Sequence, residues 1–569
     1  MSFQINNFVV PVKTNIHFTG ILSIFLAIFL LQSAIVSATS PSGDGIRKNQ
    51  KTGTLTHPVW IFFDRRDTSE KAYDAVLSGL DTKARDRRAR ARGHIVNVSD
   101  LPPHPDDLLA LRENGVKIRT ISKWLSAVSV EGTDAQIKSI SSLQHVKEVR
   151  PVAIGKRTDP DFETSTSRSI SEIDTSIYGY SWDQNNLIGA PEAHDMGYTG
   201  DGVRIGFLDS GFRHFYDHIA LQYTNVVGAW NAHDSTDDVY GHTHGTLVIS
   251  VTTAQDTGYM IGIAPDVEVL LVRTEDADSE YVMEEDFWVA GLEWAEANGA
   301  DLISTSLGYY GWYLPEDFDG NTAITTIASD LAAERGLLVI TSAGNLGQDG
   351  INAPADGDST LAVGATRANG EYVSFSSVGP TADGRIKPDV AAMGHHVWVP
   401  NDTTIDEYID GSGTSFSCPT VAGAAAILLQ ADPELLPMDI INIFKTTSSQ
   451  SNNPDTLLGW GIINIPSALN YLLNVGSNRT IIPGNFELRG IYPNPTNSEA
   501  RIMFELANNG TVKVVLSDIL GRQVISNSYY LKSGAHNLPL KLAALPSGTY
   551  PLRIESNGEL RYNKLVLIK

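Results

Sequence analysis

The feature that most constrains this chain is an apolar run that stops on an acid. Val203 to Leu208 reads as a buried parallel strand, and Asp209-Ser210-Gly211 follows it as a sharp exit. In open α/β sheets functional groups collect beyond the carboxyl ends of strands, and Asp209 stands there. Two further segments place polar groups in comparable positions. Gly241-His-Thr-His-Gly-Thr246 leads into a helix-like stretch reaching about Ala254, so His244 lies at a helix start. Gly413-Thr-Ser-Phe-Ser-Cys-Pro419 precedes the run Val421 to Gln430, and proline suits a first helical turn because its missing N–H has no partner there. Ser415 then sits where free backbone N–H groups and the positive helix end favour a developing negative charge.

Asp209, His244 and Ser415 together supply what nucleophilic acyl transfer needs. A serine hydroxyl is a poor nucleophile at its own pKa, so a histidine must take its proton. A carboxylate must in turn hold that histidine's tautomer and stabilise the imidazolium. Each context alone has an ordinary explanation: a structural Asp, a His before a turn, a Ser N-cap. All three in this order are much harder to obtain by chance. His242, the rival base, lacks the following Gly-Thr and reads as a neighbour. The oxyanion of the tetrahedral intermediate needs donors as well. Leu337 to Asn345 ends a second apolar strand on an amide, so Asn345 Nδ2 is one candidate and the Ser415 backbone N–H the other. An Asx-type turn is the structural alternative for Asn345.

These segments resemble those of subtilisin-family (subtilase) serine peptidases over about Tyr178 to Leu473. The order Asp, His, Ser is that of subtilisin and not of chymotrypsin or α/β-hydrolases. S-L-G at 306–308, S-A-G-N at 342–345, S-F-S-S-V-G-P at 374–380 and G-R-I-K-P-D-V at 384–390 match as well. The resemblance implies an α/β, subtilisin-like parallel-sheet catalytic domain (178–473) and a serine endopeptidase acting on proteins or peptides. It implies that Ser306, Leu307 and Gly308 form an edge strand pairing with extended substrate. It also implies that Ser342, Ala343 and Gly344 wall the pocket for the residue before the scissile bond. Strand addition suits a protease, since backbone bonds hold any sequence while pockets read alternate side chains. Phe416 and Thr420 replace the Met and His common in the family, which touches the local pocket and not the triad. Catalysis of this type requires no cofactor. Structural calcium is common in the family, and Asp276 to Asp286 offers carboxylates, but no segment has a ligand spacing and no metal residue is assigned.

The remaining segments place the enzyme outside the cell. Lys13, the apolar Gly20 to Leu31 and Val36-Ser37-Ala38 read as a secretory signal peptide (1–38), which leaves no membrane span after cleavage. Val59–Phe63, Val116–Arg119, Ala127–Val130 and Val146–Val152 read as strands, with helices over Ser69–Arg92 and Ala135–Leu143. That is near a split βαββαβ pattern, a small α+β, ferredoxin-like domain (55–155). Together with S-K-W-L-S-A-V-S-V at 122–130 it resembles the inhibitory propeptide of subtilases, which makes the protein's own propeptide its first partner. The run Lys83, Arg85, Arg87, Arg88, Arg90, Arg92 reads as a solvated face, with a role against the acidic catalytic domain as the weaker reading. Residues 153–177 read as the exposed joint where cleavage occurs.

After a linker (474–485), residues 486–569 show short alternating strands, the pattern of a small β-sandwich. Y-P-N-P at 492–495, D-I-L-G-R at 518–522, L-P-S-G-T-Y at 545–550 and the terminal K-L-V-L-I-K resemble a type IX secretion sorting domain. The resemblance implies secretion machinery as a partner and a secreted or cell-surface location. A carbohydrate- or surface-binding module is the alternative. The net charge of −24 argues against nucleic acid. The single cysteine, Cys418, excludes an intramolecular disulfide framework and reads as a buried structural thiol. A catalytically silent surface binding protein or adhesin requires a missing triad member, and none is missing. An esterase requires a G-x-S-x-G elbow, which Ser415 lacks.

Overall fold

A computed structural model describes residues 47–48, 55–156, 177–275, 282–477 and most of 486–569. The signal segment, most of the joint at 153–177, residues 478–485, part of the acidic stretch (276–281) and 518–521 of the D-I-L-G-R segment lie outside the described residues. The chain divides into two compact units, Met1–Ile465 and Pro466–Lys569.

Among the described residues, seven parallel strands form the central sheet of the first unit. Their order is Val390–Met393, Thr360–Thr366, Leu338–Ser342, Leu302–Thr305, Arg204–Asp209, Glu268–Arg273, Asn225–Asn231. Leu338–Ser342 and Thr360–Thr366 are buried at every position, which is why they read as near-continuous apolar and β-branched runs. Arg204–Asp209 comes first in the chain yet lies inside the sheet, between Glu268–Arg273 and Leu302–Thr305. The strand order reverses there, and ligands of open α/β sheets bind at such a switch point. One edge therefore carries Asp209, Ser306 and the segment Ser342–Asn345.

The helix Thr414–Ala431 is buried from Thr414 to Leu429 and packs under five of these strands. By length and composition alone it would suit a membrane span, but 89% of that window is buried inside the protein. It starts earlier than the sequence suggested, so Pro419 lies inside it and not in its first turn. A proline there removes the N–H that would bond the carbonyl four residues back, that of Ser415. Ser306 Oγ donates to Ser415 O instead, at 2.9 Å.

The amino-terminal domain has the expected βαββαβ antiparallel sheet, in the order Lys117–Ser122, Ala127–Gly132, Leu55–Phe63, Val146–Pro151. Its crossover helix differs from expectation. Pro105–Glu113 covers the sheet, placing Leu111 and Leu108 against Val59, Ile61 and Val130. The helices Glu70–Ser78 and Thr82–Arg92 are additions. The second reads T-K-A-R-D-R-R-A-R-A-R and has no apolar stripe with which to cover a sheet.

That arginine helix is an interface, not a solvated face. Arg87, Arg88 and Arg92 are buried. Arg88 donates to Glu296 Oε1 and Oε2 at 2.8 and 2.5 Å, and Arg87 to the same carboxylate at 2.5 Å. Asp100 bridges in the other direction, to Arg92 at 2.5 Å and to Arg335 of the central domain at 2.9 Å. Three further carboxylates of the same helix, Glu285–Ala297, which also carries Glu296, face the amino-terminal domain. Glu293 accepts from Ser122 Oγ at 2.5 Å and from the Trp124 N–H at 3.2 Å. Asp286 accepts from Arg119 at 2.7 Å, and Glu285 from Trp60 Nε1 at 3.1 Å and the Ala153 N–H at 3.0 Å. Trp60 and Trp124 join the core around Trp288. Buried carboxylates need partners: Asp286 and Glu296 have arginines, and Glu285 and Glu293 have hydrogen-bond donors, with burial raising the Glu285 carboxyl to about 7.

In the second unit, the described residues of the carboxy-terminal β-domain form a three-stranded and a four-stranded antiparallel sheet sharing one core. Ile502 and Phe504 meet Val514 and Leu552 in that core. Glu499–Leu506 alternates exposed or half-buried with buried positions, as one face of a sandwich must.

Burial alone would raise the Glu296 carboxyl, but Arg87 and Arg88 overcome it and hold it at about 2, below its ordinary 4.5. Its pairing therefore contributes fully above pH 4.5 and is lost as pH falls toward about 2. Arg88→Ala in the full-length precursor is expected to destabilise it by about 1.5–3 kcal/mol at neutral pH, the loss of charge-assisted bonds to a buried carboxylate that keeps Arg87. The deficit should shrink as pH falls toward 2. Calorimetry at both pH values checks this, and equal midpoints at neutral pH would contradict it.

Candidate active site

Asp209 ends its strand and His244 opens the helix His244–Thr253. His244 Nδ1 lies 2.8 and 2.9 Å from Asp209 Oδ1 and Oδ2, and both residues are about 1% exposed. The Ser210 N–H and hydroxyl donate to Asp209 Oδ1 at 2.7 and 3.1 Å. A carboxylate accepts only, so Nδ1 carries the proton and Nε2 is the basic nitrogen.

Glycines bring the two segments together. The Gly245 N–H donates to Gly211 O at 3.0 Å. A Cβ on Gly245 would stand 2.5 Å from that oxygen, and one on Gly211, whose φ is +146°, 2.4 Å from His242 N. Thr246 Oγ1 adds a bond to Arg213 O at 2.7 Å. All three residues of H-G-T are thus engaged with the D-S-G loop. His242 Nδ1 accepts the His244 N–H at 3.2 Å, at the start of the helix His244–Thr253.

Ser415 stands in the first turn of its helix and is 5% exposed. Phe416 packs with Leu247 and Val251 of the histidine's helix, and Thr252 Oγ1 donates to Pro419 O at 2.8 Å. The amino ends of both helices therefore lie together. Asn345 Oδ1 accepts from the Thr414 N–H and hydroxyl, both at 2.9 Å. Those two donors set the amide's orientation and turn Nδ2 away from Thr414. The oxygen bonds across 69 residues instead of closing a local Asx turn.

Ser415 and Asn345 line one cavity with Ser306, Leu307, Gly308, Ser342 and Gly344. Ala343 stays behind the wall, its N–H bonded to Val363 O at 2.9 Å. Ser306–Gly308 is not itself an assigned strand: regular pairing ends at Thr305, and Tyr309 next exchanges backbone bonds with Ala353 at 2.8 and 3.3 Å. Cys418 contacts Ile340 O at 3.4 Å, and burial pushes its thiol up to about 12, consistent with a structural role. Among the described residues no cluster of His, Cys, Asp or Glu is placed to hold a metal, and Asp286 is committed to Arg119.

Residues 200–461 match the subtilase family. Subtilisin DY of Bacillus licheniformis is 33% identical over 293 residues, which are 50% of this chain and 96% of the relative. The chain belongs to the subtilase family. Subtilisin BL of Lederbergia lenta is 32% identical over 280 residues, covering 49% of this chain and 95% of its own. An alkaline protease of Alkalihalobacillus alcalophilus is 31% identical over 299 residues, covering 52% and 72%. Residues 58–167 match a peptidase S8 propeptide domain of Bacteroidota, and residues 490–569 a secretion system C-terminal sorting domain. This subtilase is a serine-type endopeptidase, made with a propeptide and secreted or displayed at the cell surface.

Sequence reading missed residues that hold Ser415 and Asn345 in place from outside the set Asp209, His244 and Ser415. Thr414 was legible as part of G-T-S, but its bond to Asn345 was not. Ser306 was read for its backbone, while its hydroxyl takes the carbonyl that Pro419 strands. Ser306→Ala is expected to lower the unfolding free energy by about 1–3 kcal/mol by leaving that buried acceptor unpaired. Denaturant titration measures the loss, and an unchanged midpoint would mean the Ser415 carbonyl needs no partner.

Proposed function

We propose that this subtilase cleaves peptide bonds through Asp209, His244 and Ser415, with Asn345 at the oxyanion. Ser415 Oγ attacks the scissile carbonyl while His244 Nε2 takes its proton. Asp209 stays ionised, holding the ring and stabilising the imidazolium. Asn345 Nδ2 and the Ser415 backbone N–H receive the oxyanion, helped by the positive end of the helix. His244 then protonates the leaving amine, and water repeats the sequence on the acyl-enzyme. Ser306–Gly308 pairs with the extended substrate, and Ser342–Gly344 walls the pocket for the residue before the scissile bond. The observation that carries this reading is the Asp209–His244 pair at 2.8 Å, on a helix packed against that of Ser415.

The same reading extends to the flanking segments. The boundaries proposed are 1–38 for the signal peptide, 55–155 for the propeptide, 178–473 for the peptidase, 474–485 for the linker and 486–569 for the sorting domain. Ile154–Lys156 pairs antiparallel with Val282–Glu284 of the central domain, the way an extended peptide is held by strand addition. The propeptide is thus the enzyme's first ligand and its inhibitor, and the carboxy-terminal domain engages the secretion machinery.

Ser415→Ala is expected to abolish peptide hydrolysis and to leave the propeptide uncut, as read by peptide turnover and by mass spectrometry of the product. Normal turnover would remove the nucleophile assignment. Asn345→Ala is expected to lower kcat roughly a hundred- to a thousandfold with little change in KM. A loss of thermal stability with kcat intact would make Asn345 structural only.

A further inference from the structure

The cavity beside Ser415 contains a buried polar group that lacks a partner. Asn352 is 4% exposed, and its Oδ1 has no hydrogen-bond partner among the described residues. Its amide is inserted between the two segments that wall the cavity. A Cβ on Gly308 would lie 2.0 Å from Asn352 Nδ2, and a Cβ on Gly344, whose φ is +106°, 2.8 Å from the same atom. Both glycines are needed for the amide to occupy this position. Buried polar atoms are nearly always paired, so an unpaired one lining a ligand cleft marks where a ligand supplies the partner.

The rest of the lining narrows the ligand. Among the described residues, none that lines the cavity carries a charge, and Ser342, Tyr310 and Asn345 add hydroxyl and amide groups. We propose that Asn352 determines specificity at this pocket, and that the enzyme cleaves after residues with an uncharged amide side chain, asparagine or glutamine. This rests on the reading of Ser415 as nucleophile and of the cavity as the pocket for the residue before the scissile bond. Asn352 Oδ1 is closed to solvent, so a shift of the side chain accompanies substrate entry; the substrate amide then donates its NH2 to Oδ1 and accepts from Nδ2. Turning the Asn352 amide over exchanges donor and acceptor, and an amide ligand fits either arrangement. Leucine or phenylalanine would bury the Asn352 amide unpaired, and lysine or glutamate would be desolvated without a counter-charge.

The test is kcat/KM on peptides that differ only at the residue before the cut: Asn, Gln, Leu, Phe, Lys and Glu. The wild-type enzyme is expected to favour Asn and Gln by at least about tenfold. Asn352→Gly should cut those two substrates about tenfold or more and invert the preference toward Leu and Phe. Asn352→Asp keeps the volume and introduces a charge; it should lose the amide substrates and gain Lys, and it carries the test if the glycine variant does not mature. A wild-type preference for Leu or Phe would overturn the proposal, as would variants weakened by one common factor on every peptide. Failure of the underlying reading looks different: Ser415→Ala would then turn over the whole panel, whatever its profile.

Discussion

The catalytic edge of this subtilase depends on two loops that meet at backbone contact. Gly245 donates to Gly211 O at 3.0 Å, and no side chain fits at either position. Asp209 and His244 are 35 residues apart in sequence and belong to a strand and a helix. A short carboxylate and an imidazole can meet at 2.8 Å only if their main chains approach closely. The two glycines supply that approach, and the Thr246 bond to Arg213 O locks it. The hydrogen bond on Nδ1 then decides which ring nitrogen is basic, so backbone geometry determines the chemistry of the histidine.

The helix that carries Ser415, the proposed nucleophile, answers two demands that conflict. It must bury Phe416 to Leu429 in the core, and it must leave donors free at its first turn. Pro419 sharpens the conflict by removing one intrahelical bond where Ser415 needs an unstrained backbone. Ser306, at the carboxyl end of a sheet strand, supplies the missing donor. The segment that flanks the cavity is thereby tied to the nucleophile, and Asn345 is tied to it through Thr414. The site is a set of cross-links among the ends of three strands and two helices, which keeps donors in position before substrate arrives.

The propeptide contact follows a different logic. The helix Glu285–Ala297 turns Trp288, Leu292 and Ala295 into the core and presents four carboxylates to the amino-terminal domain. A face that is to be uncovered on maturation has to remain soluble alone, and carboxylates meet that need where an apolar surface would not. While covered, they need partners: arginines meet Asp286 and Glu296 with planar, bidentate geometry, and Glu285 and Glu293 take neutral N–H and O–H donors. The arginine helix is therefore as polar as its partner, which is why its composition mimics that of a solvated surface.

Much of this was legible in the sequence. Apolar runs ending on Asp209 and near Asn345 announced strands of a parallel sheet, because a strand buried on both faces leaves no alternation. The three residues proposed as the triad were legible because nucleophilic catalysis demands three residue types in recognisable local settings. The βαββαβ order was legible from period and spacing. Tertiary structure alone decided which helix covers the propeptide sheet, that the arginines are buried, that Pro419 lies inside a helix, and that Asn352 reaches the cavity. Each of these turns on a partner from another segment of the chain, or on which of two candidate helices packs where. Local pattern reports what a segment needs, and only the assembled fold determines which distant group meets that need.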